Sequence, residues 1–271
     1  MSATLEESPT DTKESKTPNS SESSPADDRH KVHVVLQSKG GIGKTIVAMN
    51  LIQFLRDSRK LTVNAIDLDP MNHTLAGYPG VHAKSVTLFD DAEHVNLAGG
   101  EIDAMMHAAL TDEVSTVIDN GAAGFVRFGA YLAETDIAGL LEERNRALII
   151  HAVIAGGDVC AQCIIGLHTI LTTLPASVRA VVWLNGHSGP VEYDGMTFEE
   201  MKIYRDNAQR IAGIVRLPRL SPLFLQDFND MLRRRFTYAE AIESPDFRIM
   251  NRQRLVMIRR GVWEQLGGLP L

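Results

Sequence analysis

Near-continuous apolar runs alternate along the chain with segments in which apolar residues recur at helical spacing. The runs cover residues 32–36, 61–66, 114–118, 147–153, 178–184 and 211–215. Helical spacing is clear in residues 127–143, 160–173 and 197–210. Apolar runs of this kind are typical of strands buried on both faces, as in parallel sheets covered by helices. The pattern predicts an α/β fold of three layers around a mostly parallel sheet.

Residues 1–30 do not share this pattern. Seven Ser, four Thr, three Pro and seven Asp or Glu fill 21 of these 30 positions. Such a segment cannot bury enough apolar surface to offset the entropy of ordering it. We therefore predict a disordered tail over residues 1–30, either a plain solvated extension or a regulatory arm. Residues 31–271 are expected to form one domain.

The loop at residues 38–45, Ser-Lys-Gly-Gly-Ile-Gly-Lys-Thr, joins the first predicted strand to a helix expected to begin at Thr45. Glycines allow successive backbone N–H groups to converge on a phosphate, and the helix dipole favours the anion. Lys44 suits the β- and γ-phosphates, and the Thr45 hydroxyl suits Mg²⁺. Ser38 stands where the usual motif has its first glycine. The predicted nucleotide-binding residues here are Gly40, Gly41, Ile42, Gly43, Lys44 and Thr45.

Three carboxylates follow predicted strands. Asp67 and Asp69 come after the second run, where Pro70 ends the strand, and Asp119 closes the third. Ligands of parallel α/β sheets lie at the carboxyl ends of the strands, where carboxylates can hold Mg²⁺ or orient an attacking water. We predict that Asp67 belongs to the metal shell and that Asp69 orients water. Acids at strand ends also cap helices and form turns, which is the alternative for Asp119.

The loop, together with Ile66-Asp67-Leu68-Asp69-Pro70, resembles the deviant-Walker ATPases of the ParA/MinD class. Further segments are similar to the TraL-type conjugal transfer proteins, plasmid-borne ParA-like ATPases; they lie at residues 118–122, 181–185, 198–202 and 215–219. The similarity spans about residues 31–265. It implies a P-loop NTPase fold and a slow, Mg²⁺-dependent, partner-stimulated ATPase that dimerises when it binds ATP.

The resemblance also implies roles for single residues. Lys39 would be the signature lysine that reaches across an ATP-sandwiched dimer, so that Lys39, Lys44 and Asp69 form the catalytic set. Thr45, Asp67 and Asp119 would hold the metal.

Two further residues are implied to contact the adenine base. Asn185 would read the base, and Pro218 lies in the loop that flanks it. Asn120-Gly121 departs from the family pattern, because partition ATPases usually have prolines after the third acid. The switch behaviour of this chain is therefore expected to differ.

Charge is distributed unevenly along the chain. The formal net charge of −7 is the sum of −4 in residues 1–30, −7 in 31–215, +5 in 216–260 and −1 thereafter. The basic segment holds ten arginines, which are expected to form either a DNA phosphate-binding face or a solvated, ion-paired helix face. The candidates for contact with DNA or with a conjugation or partition protein are Arg233, Arg234, Arg235, Arg252, Arg254, Arg259 and Arg260.

Cys160 and Cys163 are the two cysteines of the chain. So few cysteines argue against a secreted disulfide scaffold and favour the cytoplasm. Their spacing suits two packed positions on one helix face better than a zinc site, which usually needs a second pair. No apolar run reaches the length of a membrane span, so we expect no integral membrane segment.

Three functions fit these observations. The first is an ATP-driven dimerisation switch that serves plasmid conjugal transfer or plasmid maintenance. The second is an ATP-dependent ligase or synthetase of the same fold, which would have no need of a cross-subunit lysine. The third is a module that binds ATP without turnover.

Overall fold

Nine strands are present in the computed structural model, which describes residues 1, 30–68, 74–89 and 98–271. They are β1 (Lys31–Val35), β2 (Val63–Asp67), β3 (Lys84–Ser85), β4 (Ser115–Asp119), β5 (Ala147–Ala155), β6 (Arg179–Asn185), β7 (Glu192–Tyr193), β8 (Met196–Thr197) and β9 (Ile211–Leu217). The predicted tail, apart from its two end residues, and Asp69 lie outside the described residues.

Seven of the strands form one sheet in the order β3-β2-β4-β1-β5-β6-β9. Every pairing within it is parallel. All residues of β1 and β4 are buried, as expected of central strands that are covered on both faces. The parallel α/β sheet predicted from the apolar runs is confirmed.

Nine α-helices connect and cover the strands. They are α1 (Lys44–Gln53), α2 (Gly99–Thr111), α3 (Phe125–Glu134), α4 (Ile137–Glu142), α5 (Cys160–Thr173), α6 (Lys202–Asn207), α7 (Pro222–Arg233), α8 (Tyr238–Glu243) and α9 (Ile249–Gly267), counted within the described residues. The helices pack in two groups. The first contains α1, α7, α8 and α9, and the second contains α3, α4, α5 and α6. The sheet and these two groups form the three-layer fold that was predicted.

Two of the predicted helices differ from the structure. The segment 127–143 is broken at Asp136, which has φ +46° and caps α4 by accepting a hydrogen bond from the Gly139 N–H (3.3 Å). The segment 197–210 contains only the short helix α6 after a capping turn that begins at Thr197. Local side-chain capping interrupts the helical spacing in both places.

A buried arginine fixes the end of the sheet opposite the loop. The Arg146 guanidinium donates hydrogen bonds to the carbonyl oxygens of His30, Ala109, Asp112 and Val114. It therefore satisfies carbonyl groups at the end of α2 and at the approach to β1 and β4. None of the helices in the described part of the chain is long and apolar enough to cross a membrane.

Candidate functional site

The glycine-rich loop lies between the carboxyl end of β1 and the first turn of α1. Gly41 and Gly43 have φ of +72° and +96°, in the left-handed region that favours glycine. A Cβ at Gly43 would lie 3.1 Å from Asn185 Nδ2, whereas one at Gly41 would meet nothing within 4 Å. The loop is thus closely packed on the side of Asn185 and open at Gly41.

The two lysines of the loop are in contact. Lys44 is buried, and its Nζ donates a hydrogen bond to the carbonyl oxygen of Lys39 (2.7 Å). Lys39 is half-buried, and Thr45 lies in the first turn of α1, which begins one residue before the predicted start. The helix N-terminus, the ammonium group and the open glycines therefore face the same region, which is an arrangement suited to an anion.

A cavity of about 500 Å³ opens over the loop. Gly40, Gly41 and Gly43 line it together with Lys44 and Thr45. Its other walls are contributed by Ile46, Met49, Thr74, Tyr78, Ala122, Ala123 and Leu232. This is the space in which a phosphate chain would contact the loop.

A second cavity, of about 620 Å³, shares the loop glycines as a wall. Asn185, at the end of β6, and Pro218, just after β9, both line it. Its far side is apolar and is formed largely by α7 and α9, including Phe224 and Phe228. The structure thus brings both residues that were predicted to contact the base into one cavity beside the loop.

Asn185 is itself anchored on the loop. Its Nδ2 donates to the carbonyl oxygen of Ile42 (2.9 Å), and its Oδ1 accepts from the backbone N–H of His187 (3.1 Å). The carboxamide is therefore held in one orientation. One N–H of Nδ2 remains for a further acceptor in the cavity.

Asp67 and Asp119 lie side by side at the carboxyl ends of β2 and β4, as direct partners in the register. Both are buried. Asp67 Oδ2 accepts a hydrogen bond from the backbone N–H of Ala76 (2.8 Å), and neither carboxylate lines the cavity that contains Thr45. In this structure Asp67 fixes the turn at residues 74–77.

The loop fits a phosphate chain, and the acids suit a hard cation. The open Cβ direction at Gly41 leaves room for a ligand, while the buried Lys44 supplies a compensating positive charge. Hydroxyl and carboxylate oxygens, as in Thr45, Asp67 and Asp119, are the donors that Mg²⁺ prefers, often through water. The residues present therefore fit a nucleotide with magnesium.

The two cysteines pack inside the first turn of α5, which confirms the helix-packing interpretation. Both are buried free thiols. Burial raises the pKa of Cys163. A backbone hydrogen bond at Ala155 and the positive charges of Lys44 and Lys39 lower it in part. Among the described residues, no group of three or more His, Cys, Asp or Glu could hold a metal ion.

The seven candidate arginines are largely engaged within the chain. Arg254 pairs with the buried Asp227, and Arg234 pairs with Asp230 and Asp246. The others that make contacts are Arg233 with Asp230, Arg235 with the Gly77 carbonyl, Arg252 with the Ser244 and Phe247 carbonyls, and Arg259 over the Trp263 ring. Arg260 is exposed on α9. The segment is thus closer to an ion-paired helix face than to an open row of cations.

Sequence reasoning missed several residues of the site. Tyr78 and Thr74 line the phosphate cavity, although neither belongs to a motif. Gln37, directly before the loop, is buried and bonded to it. A polar residue at the end of an apolar strand was the available signal for Gln37.

Comparison with known proteins places this geometry in a family. The family described as "CobQ/CobB/MinD/ParA nucleotide binding domain" matches residues 33–236. The chain belongs to this family of nucleotide-binding domains, because the match covers well over half of its length.

Particular relatives are known as well. Two curated proteins from Escherichia coli, both named Protein TraL, are 36% identical over 242 residues and 33% identical over 237. Each alignment covers 87% of this chain and 97% of the relative.

The solved structures that resemble this chain are more distant in sequence. The MinD cell division protein of Aquifex aeolicus is 14% identical, with a TM-score of 0.48 over 85% of this chain and 95% of its own. A ParA family ATPase from Chlorobium tepidum is 13% identical, with a TM-score of 0.48 over 85% of this chain and 98% of its own.

Proposed function

We propose that the chain binds ATP with Mg²⁺ and hydrolyses it slowly, as a dimerisation switch in conjugal plasmid transfer or plasmid maintenance. The observation that carries this proposal is the loop itself. Gly41 and Gly43 take left-handed conformations at the N-terminus of α1, next to a buried lysine. The relatives named TraL support the link to conjugal transfer, because they match nearly the whole of their length.

Within this proposal the loop binds the phosphates. Lys44 exchanges its bond to the Lys39 carbonyl for phosphate oxygens, and backbone N–H groups of the loop donate to the same oxygens. The Thr45 hydroxyl would hold Mg²⁺, and the chemistry that the ion would supply is neutralisation of charge on the transferred phosphoryl group.

Asp67 and Asp119 would support the magnesium shell. Their position at neighbouring strand ends supports this role, since ligands of such sheets lie at that edge. Asp69, outside the described residues, remains the residue expected to orient the attacking water.

The base is held in the second cavity. Asn185 uses its remaining N–H toward the adenine ring, and Pro218 packs at the rim. The sequence contains neither an N-K-x-D nor a T-K-x-D guanine motif, which favours ATP over GTP.

Sedimentation of the full chain with ATP and Mg²⁺ tests the switch. Wild type is expected to dimerise and Lys39→Ala to remain a monomer, since Lys39 would bridge to the phosphates of the facing subunit. Lys202→Ala is the matched control, because Lys202 is an exposed lysine whose ion pair with Asp206 contributes little. A wild-type monomer with ATP bound would exclude the switch.

Turnover separates the alternatives. Release of phosphate that DNA stimulates supports the switch, whereas tight ATP binding without phosphate release indicates a binding module. Phosphate transfer to a small carboxylic acid would indicate a ligase or synthetase.

DNA is proposed as a partner through the arginine-rich segment. Arg260 and Arg233 are the exposed positions to test first, since Arg254 is already paired with Asp227. Loss of one phosphate contact would lower the slope of log K against log salt by about 1. If Arg233→Ala and Arg260→Ala bind DNA with the affinity and salt dependence of wild type, this face does not contact DNA.

A further inference from the structure

A buried glutamine lies at the entrance to the phosphate loop. Gln37 follows the end of β1 by two residues and has no exposed surface. A buried side-chain amide is costly unless its hydrogen bonds are made. Gln37 makes four of them, one to Val153, one to Cys163 and two to Ser38.

The nitrogen of the Gln37 amide ties the loop to the body of the domain. Nε2 donates to the carbonyl oxygen of Val153 on β5 (3.1 Å) and to that of Cys163 on α5 (3.0 Å). Two carbonyl acceptors require the nitrogen on this side, so the orientation of the amide is settled. Both N–H groups of the amide are used.

The oxygen of the same amide holds the first residue of the loop. Oε1 accepts from the backbone N–H of Ser38 (2.8 Å) and from the Ser38 hydroxyl (3.2 Å). Ser38 stands where the usual phosphate-binding motif has glycine. The path of the loop after Ser38 therefore starts from an atom that Gln37 fixes.

Helix α5 leaves space for this arrangement. A Cβ at Gly166 would lie 1.7 Å from Gln37 Oε1 and 2.9 Å from the Ser38 hydroxyl oxygen. Glycine is disfavoured inside a helix, and here the close approach of Gln37 accounts for it.

We propose that Gln37 is a positioning residue for phosphate binding, and that Gly166 provides the clearance it needs. The proposal rests on the proposed function, because it concerns the same nucleotide site. Gln37 does not touch the ligand. It sets the start of the loop so that the glycine N–H groups converge on the phosphates.

Calorimetric titration of the full chain with ATP and with adenosine, both with Mg²⁺, tests this role. Gln37→Ala removes the amide, and Gly166→Ala displaces it. Each is expected to weaken ATP binding about tenfold or more, since buried partners are left unpaired. Adenosine, which lacks phosphates, is expected to bind within about twofold of wild type. Gly100→Ala, in the first turn of α2, is the control, because nothing lies within 4 Å of its Cβ position and it lines neither cavity.

The double variant Gln37→Ala/Gly166→Ala distinguishes displacement of Gln37 from general damage. If Gly166→Ala acts through Gln37, the double variant binds ATP as Gln37→Ala does. Additive losses, or equal losses for ATP and adenosine, would overturn the positioning role. Unchanged ATP affinity in both single variants would overturn it as well, with the proposed function intact. A wild-type chain that does not bind ATP would overturn both.

Discussion

Two buried histidines are expected to make this fold sensitive to mild acid. His33 on β1 and His151 on β5 have no exposed surface, and their rings are joined by a hydrogen bond from nitrogen to nitrogen (3.1 Å). The Trp183 indole N–H donates to His151 Nδ1 (3.0 Å), so His151 carries its proton on Nε2 and donates to His33 Nδ1. His33 Nε2 then carries a proton without a partner in the described part of the chain.

Both histidines are therefore held neutral. Burial lowers the pKa of His151 to about 3. Burial lowers the pKa of His33 well below its usual value as well. Repulsion from His151, which would arise if both rings were protonated, and from Lys31 adds to that effect. In the unfolded chain these two histidines bind protons near pH 6.5, whereas in the folded chain they stay neutral. Their contribution to the free energy of unfolding is therefore fully present above about pH 6.5 and is lost as the pH falls. At pH 5 the loss is about 2 kcal/mol for His151, and His33 adds a further loss of the same sign.

Urea unfolding at pH 7.5 and pH 5.0 measures this loss. His33→Leu removes one of the two titrating groups, so the difference between the two pH values is expected to shrink to about 2 kcal/mol. His168→Ala, which changes an exposed histidine on α5, is expected to keep the full difference. Equal stability of wild type at both pH values, or the same loss in His33→Leu, would refute the assignment of neutral buried rings.

Three further changes are expected to act locally. Gly261→Ala should raise the free energy of unfolding by about 1 kcal/mol in urea titrations, because a mid-helix glycine with open space at its Cβ gains by the exchange. Arg146→Ala should lower the free energy of unfolding by roughly 3 kcal/mol or more, since four carbonyl groups lose their donor. The same change at the exposed Arg144 should alter it by no more than about 0.5 kcal/mol. Gly43→Ala should weaken ATP binding at least tenfold in calorimetry, because a φ of +96° strains any L side chain and the new Cβ would lie 3.1 Å from Asn185 Nδ2.

Features set by local sequence were predictable. The apolar runs end where the side chains turn polar, so β2 ends at Asp67 and β4 at Asp119, as predicted. Helix α5 has the predicted bounds because its apolar spacing is unbroken. The break at Asp136 was missed. In the sequence, an aspartate that caps a helix by accepting from the Gly139 N–H cannot be told apart from an aspartate on the exposed face of a continuous helix.

Features set by partners distant in sequence were not predictable. Gln37 finds its acceptors on β5 and α5, more than a hundred residues away, so the sequence near the loop contains no trace of them. The same is true of Arg254, whose charge is matched by Asp227 on another helix. A count of arginines therefore gives too many cations that could contact DNA, because the sequence does not show which arginines are paired with acids in the fold.

The loop is held at both ends by side-chain amides, and this has a consequence for how its ligand is recognised. Gln37 fixes Ser38 at the start, and Asn185 bonds the carbonyl of Ile42 near the end. Asn185 also lines the cavity proposed for the base. A base that draws on the remaining N–H of Asn185 would act on a residue already bonded to the loop. We therefore expect recognition of the base and binding of the phosphates to be coupled through Asn185, with no need for movement elsewhere in the domain.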